Sequence, residues 1–300
     1  MWASPSKVGH DVEHSAVLEV ATRLQTEGLA RLDIDIDGSL VALRQAFGLE
    51  RQYGDDGERL CRACAALCRG LARASAPAPP AEAVGVLLQA LDTLDERQAR
   101  LGGGSGGGAS ASGGVDVAAA DFLARELLGL ARRLGAGNAT AGLHPGSPGG
   151  HAGVVRLDEL RAADRAYERL ANLAANEPLS VGGGTDLVVT QEELLFQLAQ
   201  QARAIGICLM ASDTVRDTEA ATFYFLRALR KLRLAGIADK DPTSLGLRQL
   251  MSDAEAQAER LRAPPTLPGT RSADGSGSAP GTPRTPSRKA DEYDDYCLIS

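Results

Sequence analysis

Alanine and leucine recur at intervals of three and four residues in segment after segment of this chain, and tracts of Gly, Pro and Ser separate the segments. That spacing lines the apolar side chains along one face of an α-helix, which a second helix must then cover. Both residues are also strong helix formers. Few stretches are β-branched or aromatic enough to read as strands. The expected class is therefore all-α: antiparallel helical hairpins, stacked as an α-solenoid or a bundle, with Gly-rich inserts and a disordered C-terminal tail.

The pattern predicts helices over 10–32, 39–52, 58–74, 81–101, 117–134, 157–176, 190–211, 214–235 and 245–262. Asp37-Gly38 reads as a turn ahead of the second helix. Phe122, Leu127, Leu130 and Leu134 are the expected buried residues of the fifth. Thr190 and Glu193 make a capping box at the start of the seventh. Phe223, Tyr224, Phe225 and Leu226 form an aromatic cluster on the eighth; with Phe196 on the seventh, this hairpin is expected to be the best-packed core, because large rings bury the most area. The chain divides into N-terminal helical hairpins (10–101), a flexible Gly/Ser linker (102–114), a C-terminal helical region (115–262) with a flexible insert at 135–153, and a disordered tail (263–300).

Several motifs that suggest chemistry fail on spacing. Asp33, Asp35, Asp37 and Gly38 match positions 1, 3, 5 and 6 of a calcium-binding loop, but Arg44 stands where the bidentate Glu belongs. Cys61, Cys64 and Cys68 lie within one helix and have no fourth ligand nearby, so they read as core cysteines and not as a zinc site. Neither Gly-rich tract, 102–114 or 182–184, is followed by the lysine of a phosphate-binding loop. His10 and His14 lack the pattern of a metalloprotease helix, and His144 and His151 sit among Gly and Pro. No G-x-S-x-G elbow is present. These readings imply no catalytic residue, no cofactor and no metal. The net charge of −7 argues against a broad nucleic-acid surface, which needs a cationic face.

The last four residues, Cys297-Leu298-Ile299-Ser300, form a C-a-a-X box, and the chain resembles CaaX-box prenylated proteins in this respect. Such a box is read by a prenyltransferase, and Ser at its last position favours a farnesyl group on Cys297. The resemblance implies a cytoplasmic protein in peripheral contact with a membrane surface through farnesyl. Trp2 stands where N-myristoylation needs glycine. No run of apolar residues is long enough to span a bilayer. The five cysteines, with no secretory signal, are expected to be thiols in a reducing compartment. Thr282-Pro283 and Thr285-Pro286 are proline-directed phosphorylation candidates beside Arg284, Arg288 and Lys289. The acidic stretch from Asp291 to Asp295 separates that basic cluster from the box.

The helical body carries a second likeness. Ala221-x3-Phe225-x2-Ala228 is similar to the second helix of a tetratricopeptide repeat, in which small residues admit the first helix and an aromatic fills the gap. The hairpin 192–235 also resembles helices of the microtubule-interacting-and-trafficking (MIT) domain. The Trp, Leu-Gly and Tyr positions of a tetratricopeptide first helix fall near Ile205, Cys208, Leu209 and Ser212, which keep only apolar character, and Arg233 stands where the closing Pro would be. The expected function is a lipid-tethered, non-enzymatic adaptor that binds a protein partner. The alternatives are an enzyme or regulatory subunit whose site sequence does not reveal, and an MIT-like trafficking module.

Overall fold

Capping side chains decide where most of the helices begin. In a computed structural model of the chain, the described residues are 7–76, 80–102, 113–139, 157–175, 179–181, 187–212 and 214–263. They form α1 (Lys7–Arg31), α2 (Ile36–Tyr53), α3 (Gly57–Ser75), α4 (Ala81–Gly102), α5 (Gly113–Ala139) and α6 (Leu157–Ala174). A two-stranded ribbon of β1 (Leu179–Val181) and β2 (Leu187–Val189) follows, then α7 (Gln191–Met210), α8 (Val215–Leu234) and α9 (Pro242–Arg262). Asp35, Asp56, Thr190, Thr214 and Asp241 are N-caps whose side chains accept backbone N–H groups left over at the first turn. The class is all-α with one short ribbon.

Packing follows chain order. Each helix packs on the next, and α3 also touches α1 and α5, α6 touches α4, and α7 touches α5. This near-neighbour pattern is that of a stack, in which each element is covered by those adjacent to it. One core cluster runs from Leu32 through α2 to α7 and ends at Leu198. A second joins Leu160 of α6 to Ile205 of α7, Phe225 of α8 and Leu247 of α9. The first cluster crosses the tract 102–114, because α4 and α5 pack directly. Closing a long loop costs little more than closing a short one, so a Gly-rich tract there is tolerated. The packed unit ends at Ala263.

Polar side chains tie the stack in several places. Glu50 of α2 is 3% exposed and accepts from Arg59 of α3 at 2.9 Å, while the same guanidinium donates to the Leu18 carbonyl of α1 at 2.8 Å. Three helices thus share one arginine. Arg227 of α8 reaches past α7 to α6, donating to Asp164 at 2.5 Å and Glu168 at 3.1 Å. Arg169 of α6 likewise bonds Asp95 of α4.

Four expectations are corrected. Helix α2 begins at Ile36, not residue 39: Asp35 caps it by accepting the Gly38 N–H at 3.0 Å, which places Asp37-Gly38 inside the first turn. Helix α5 continues through Gly135 to Ala139, where an insert was expected; Gly135 packs on Gln201, and a Cβ there would lie 2.7 Å from Nε2. Phe122 is 40% exposed, because the buried stripe of α5 is Leu123, Leu127, Leu130 and Leu134, about 100° round the helix from it. The aromatic cluster of α8 does not face the core as a unit: Phe225 is fully buried in the second core cluster, but Phe223 is 55% exposed, since four consecutive residues point around a helix.

Candidate functional site

The ribbon and the seventh helix build a groove together. Val189 is buried and Val188 is 49% exposed, as successive residues of a strand face opposite ways. Val189 therefore pins β2 to the core, and Val188 is left at the groove rim. The next residue, Thr190, caps α7. Its Oγ1 accepts the Glu193 N–H at 3.3 Å, and Glu193 Oε2 accepts the Thr190 N–H at 3.2 Å. This reciprocal pair turns the chain directly from strand to helix.

Helix α7 then divides its faces. Leu194, Leu195 and Leu198 go inward, while Glu193, Phe196, Gln197 and Gln200 line the groove at helical spacing. Gln201 lies deeper, 6% exposed, and its Oε1 has no hydrogen-bond partner. Leu128 of α5 and Tyr167 of α6 complete the floor, and Arg132 of α5 lines it too. Burial pushes the Tyr167 phenol up from its ordinary value, and the nearby Arg132 only partly offsets this. The hollow measures about 920 Å³.

The far wall comes from the end of α8. Gly236 has φ 76°, a left-handed conformation that costs glycine little. With it the Ile237 N–H bonds the Leu232 carbonyl at 2.9 Å, and the Gly236 N–H bonds Arg233 at 3.0 Å. These two bonds make a Schellman motif, and the reversal delivers Ile237 to the groove.

A second hollow, of about 760 Å³, lies where α2 ends beside α4. Arg51, Arg97 and Arg100 stand there among Asp55, Asp92 and Glu96. Much of that charge is already matched: Arg100 pairs with Glu96, Asp92 with Arg169, and Arg97 donates to the Glu50 carbonyl.

The sequence candidates fall elsewhere. Cys297, Leu298, Ile299, Ser300, Thr282 and Thr285 lie outside the described residues, as do His144, His151 and most of the tract 102–114. Asp35 is a helix cap, and Asp33 pairs with Arg73 at 3.1 Å. His14 meets Tyr53 edge-on at 6.3 Å. Cys64 is fully buried, and a hydrogen bond with Cys68, together with burial, pushes its thiol well above the ordinary value. Cys61 donates to the Ala119 carbonyl at 3.4 Å, so it bridges α3 and α5. Among the described residues no group of three or more His, Cys, Asp or Glu side chains is placed to hold a metal ion.

The groove itself was not anticipated. Its one local signal is the trio Gln197, Gln200 and Gln201, spaced i, i+3, i+4 along α7. No protein-family model matches the chain, and neither a curated protein nor a solved structure does, so its function is argued from the groove and from the sequence of its tail.

Proposed function

We propose that this protein is a non-enzymatic helical adaptor, which binds a protein partner in the groove between α5, β2 and α7 and is held at a cytosolic membrane surface by farnesyl on Cys297. The observation that carries the reading is the groove lining. It combines an aliphatic and aromatic floor with a row of carboxamides, and carboxamides offer a donor and an acceptor without a proton to exchange. That chemistry holds a ligand in place, and a floor of this kind is how binding sites gain affinity. The resemblance of the α8 pattern to tetratricopeptide helices supports the same reading, as helical arrays use such surfaces for partners.

The tether rests on Cys297-Leu298-Ile299-Ser300. No described helix is long and apolar enough to cross a membrane, so contact with a bilayer is assigned to the lipid. One lipid chain gives only marginal, reversible binding. The acids at Asp291, Glu292, Asp294 and Asp295 are repelled by anionic headgroups, which weakens it further. Phosphorylation of Thr282 or Thr285 adds charge of the same sign and shifts the protein toward the cytosol. The test is the partitioning of wild type and Cys297→Ser between membrane and cytosol. Wild type is expected to be enriched on membranes; equal partitioning of the two overturns the tether.

A further inference from the structure

Resting on the membrane-surface part of the proposed function, we infer that the outward face of α8 is a second membrane contact: a row of exposed apolar side chains, set among arginines, that lies on an anionic bilayer. Phe223, Leu226 and Leu234 are 55%, 36% and 66% exposed. At 100° per residue these three and Arg230 fall within about 80° of the helix circumference, over a rise of about 17 Å. The opposite face of α8 is already used: Ala221, Phe225, Ala228, Leu229 and Leu232 are buried in the second core cluster. Packing on α7 and α9 therefore accounts for one apolar stripe of α8, and the row is a second stripe that the stack leaves uncovered.

The charge around the row is cationic. Leu226 to Leu234 carries four basic residues and no acid, in a chain of net charge −7. Two of the four turn to α6, where Arg227 meets Asp164 and Glu168, and Lys231 meets Glu168. The other two, Arg230 and Arg233, are exposed beside the apolar row. Arg233 shares the Asp239 carboxylate with Arg248 of α9, at 2.8 and 3.3 Å, and Arg262 of α9 pairs with Glu219 of α8. Four guanidinium groups thus stand against two carboxylates. Arg216 and Asp217 at the start of α8 offset each other, as do Lys240 and Asp241 after it.

A bilayer fits this face better than a protein does. A Phe and two Leu exposed to this extent present on the order of 300 Å² of apolar surface. Each partner in a stable protein interface contributes roughly 800 Å². The membrane interface sets no such threshold: it takes up apolar side chains singly, while arginine stems lie along them and the heads reach lipid phosphates. Anionic headgroups attract this face and repel an otherwise acidic chain, which turns α8 toward the membrane. The contact adds a second signal to one lipid chain, whose hold alone is marginal.

The experiment is cosedimentation of the full-length Cys297→Ser protein, which lacks the box cysteine, with lipid vesicles. One set is phosphatidylcholine alone, and the other holds phosphatidylserine at about one part in three. Binding is expected to the anionic set only, and to weaken as salt is raised. In this background Phe223→Ser combined with Leu234→Ser should lower the partition coefficient about tenfold. Arg230→Gln should lower it about fivefold, the worth of one basic residue at an anionic surface. Val41→Ser, at a site 54% exposed on α2, should leave it unchanged. All four side chains are exposed, so the substitutions spare the fold, and unchanged urea midpoints verify this. Equal binding to both vesicle sets, binding to neither, or a loss in Val41→Ser as large as in the row variants overturns the inference. The farnesyl tether then still stands or falls on the partitioning of wild type against Cys297→Ser in cells. Self-association that Phe223→Ser abolishes, seen by sedimentation, would give the row to a second copy and overturn the inference as well.

Discussion

The ring of Phe225 on α8 lies directly against Gly206 on α7, so close that a Cβ at Gly206 would stand 2.5 Å from Cε1. Both residues are buried, and Phe225 is among the largest fully enclosed side chains. In an open helix Gly→Ala stabilises by up to about 1 kcal/mol. Here Gly206→Ala must instead displace the ring, and overpacking of this kind costs about 1–3 kcal/mol. Phe225→Ala should cost about 3–5 kcal/mol through the cavity it leaves. Gly129→Ala and Gly246→Ala have nothing within 4 Å of the added Cβ and should stabilise by about 0.5–1 kcal/mol. Urea unfolding distinguishes the two classes by sign. A stabilised Gly206→Ala would show that the α7–α8 approach is looser than described.

The strand-to-helix junction at the groove depends on Thr190. Thr190→Ala removes the acceptor for the Glu193 N–H and should cost about 1 kcal/mol. Thr190→Ser keeps the oxygen and should cost much less. Hydrogen exchange at the Glu193 amide reads the same bond locally: faster exchange in Thr190→Ala, and near wild-type exchange in Thr190→Ser, are expected.

Gly236 sets the opposite wall. Its φ of 76° is one that a side chain with Cβ adopts at a cost of about 1–2 kcal/mol. Gly236→Ala should therefore destabilise the protein by about 1 kcal/mol, whereas Gly236→Asn, which tolerates this region better, should cost less. Equal stability of all three in thermal unfolding would contradict the Schellman turn.

Asp164 gives a pH dependence of defined sign. Burial raises its carboxyl above the ordinary value, and this outweighs the lowering by Arg227, which donates to it at 2.5 Å. Oδ1 has no partner, in keeping with a carboxylate that is incompletely satisfied in its charged form. A group whose folded pKa is raised contributes stability that is full below its unfolded value of about 3.9 and is lost as pH rises through the folded value. Asp164→Asn does not titrate. The stability of this variant relative to wild type should therefore increase as pH rises from about 4 toward 7. Urea midpoints across that range test it; a constant or decreasing difference would contradict the assignment.

Much of the fold was legible because it rests on local rules. Leu60, Cys64, Leu67 and Leu71 mark one face of α3, and all four are buried. The Thr190 capping box was readable from two residues and is formed. Where neighbours decide, the sequence is silent or misleads. Phe122 and Phe223 look like core because they are aromatic, yet the phase of each helix, set by its packing partners, turns them outward. Gly135 looks like a breaker, yet it is the place where α5 closes on Gln201. The Leu187-Val188-Val189 run is β-branched enough to suggest a strand, but its partner at Leu179–Val181 lies across a Gly-rich stretch that hides the pairing. The groove draws on α5, α6, β2, α7 and the turn after α8, so no single stretch announces it.

The proposed tether is tested most directly by feeding cells an alkyne-tagged farnesol analogue and recovering the full-length protein from membrane and cytosolic fractions. Wild type is expected to carry the tag and to be enriched with membranes, and Cys297→Ser to lose both. Untagged wild type, or tag retained in Cys297→Ser, would contradict a lipid on Cys297 and with it the account of this protein as a membrane-tethered adaptor.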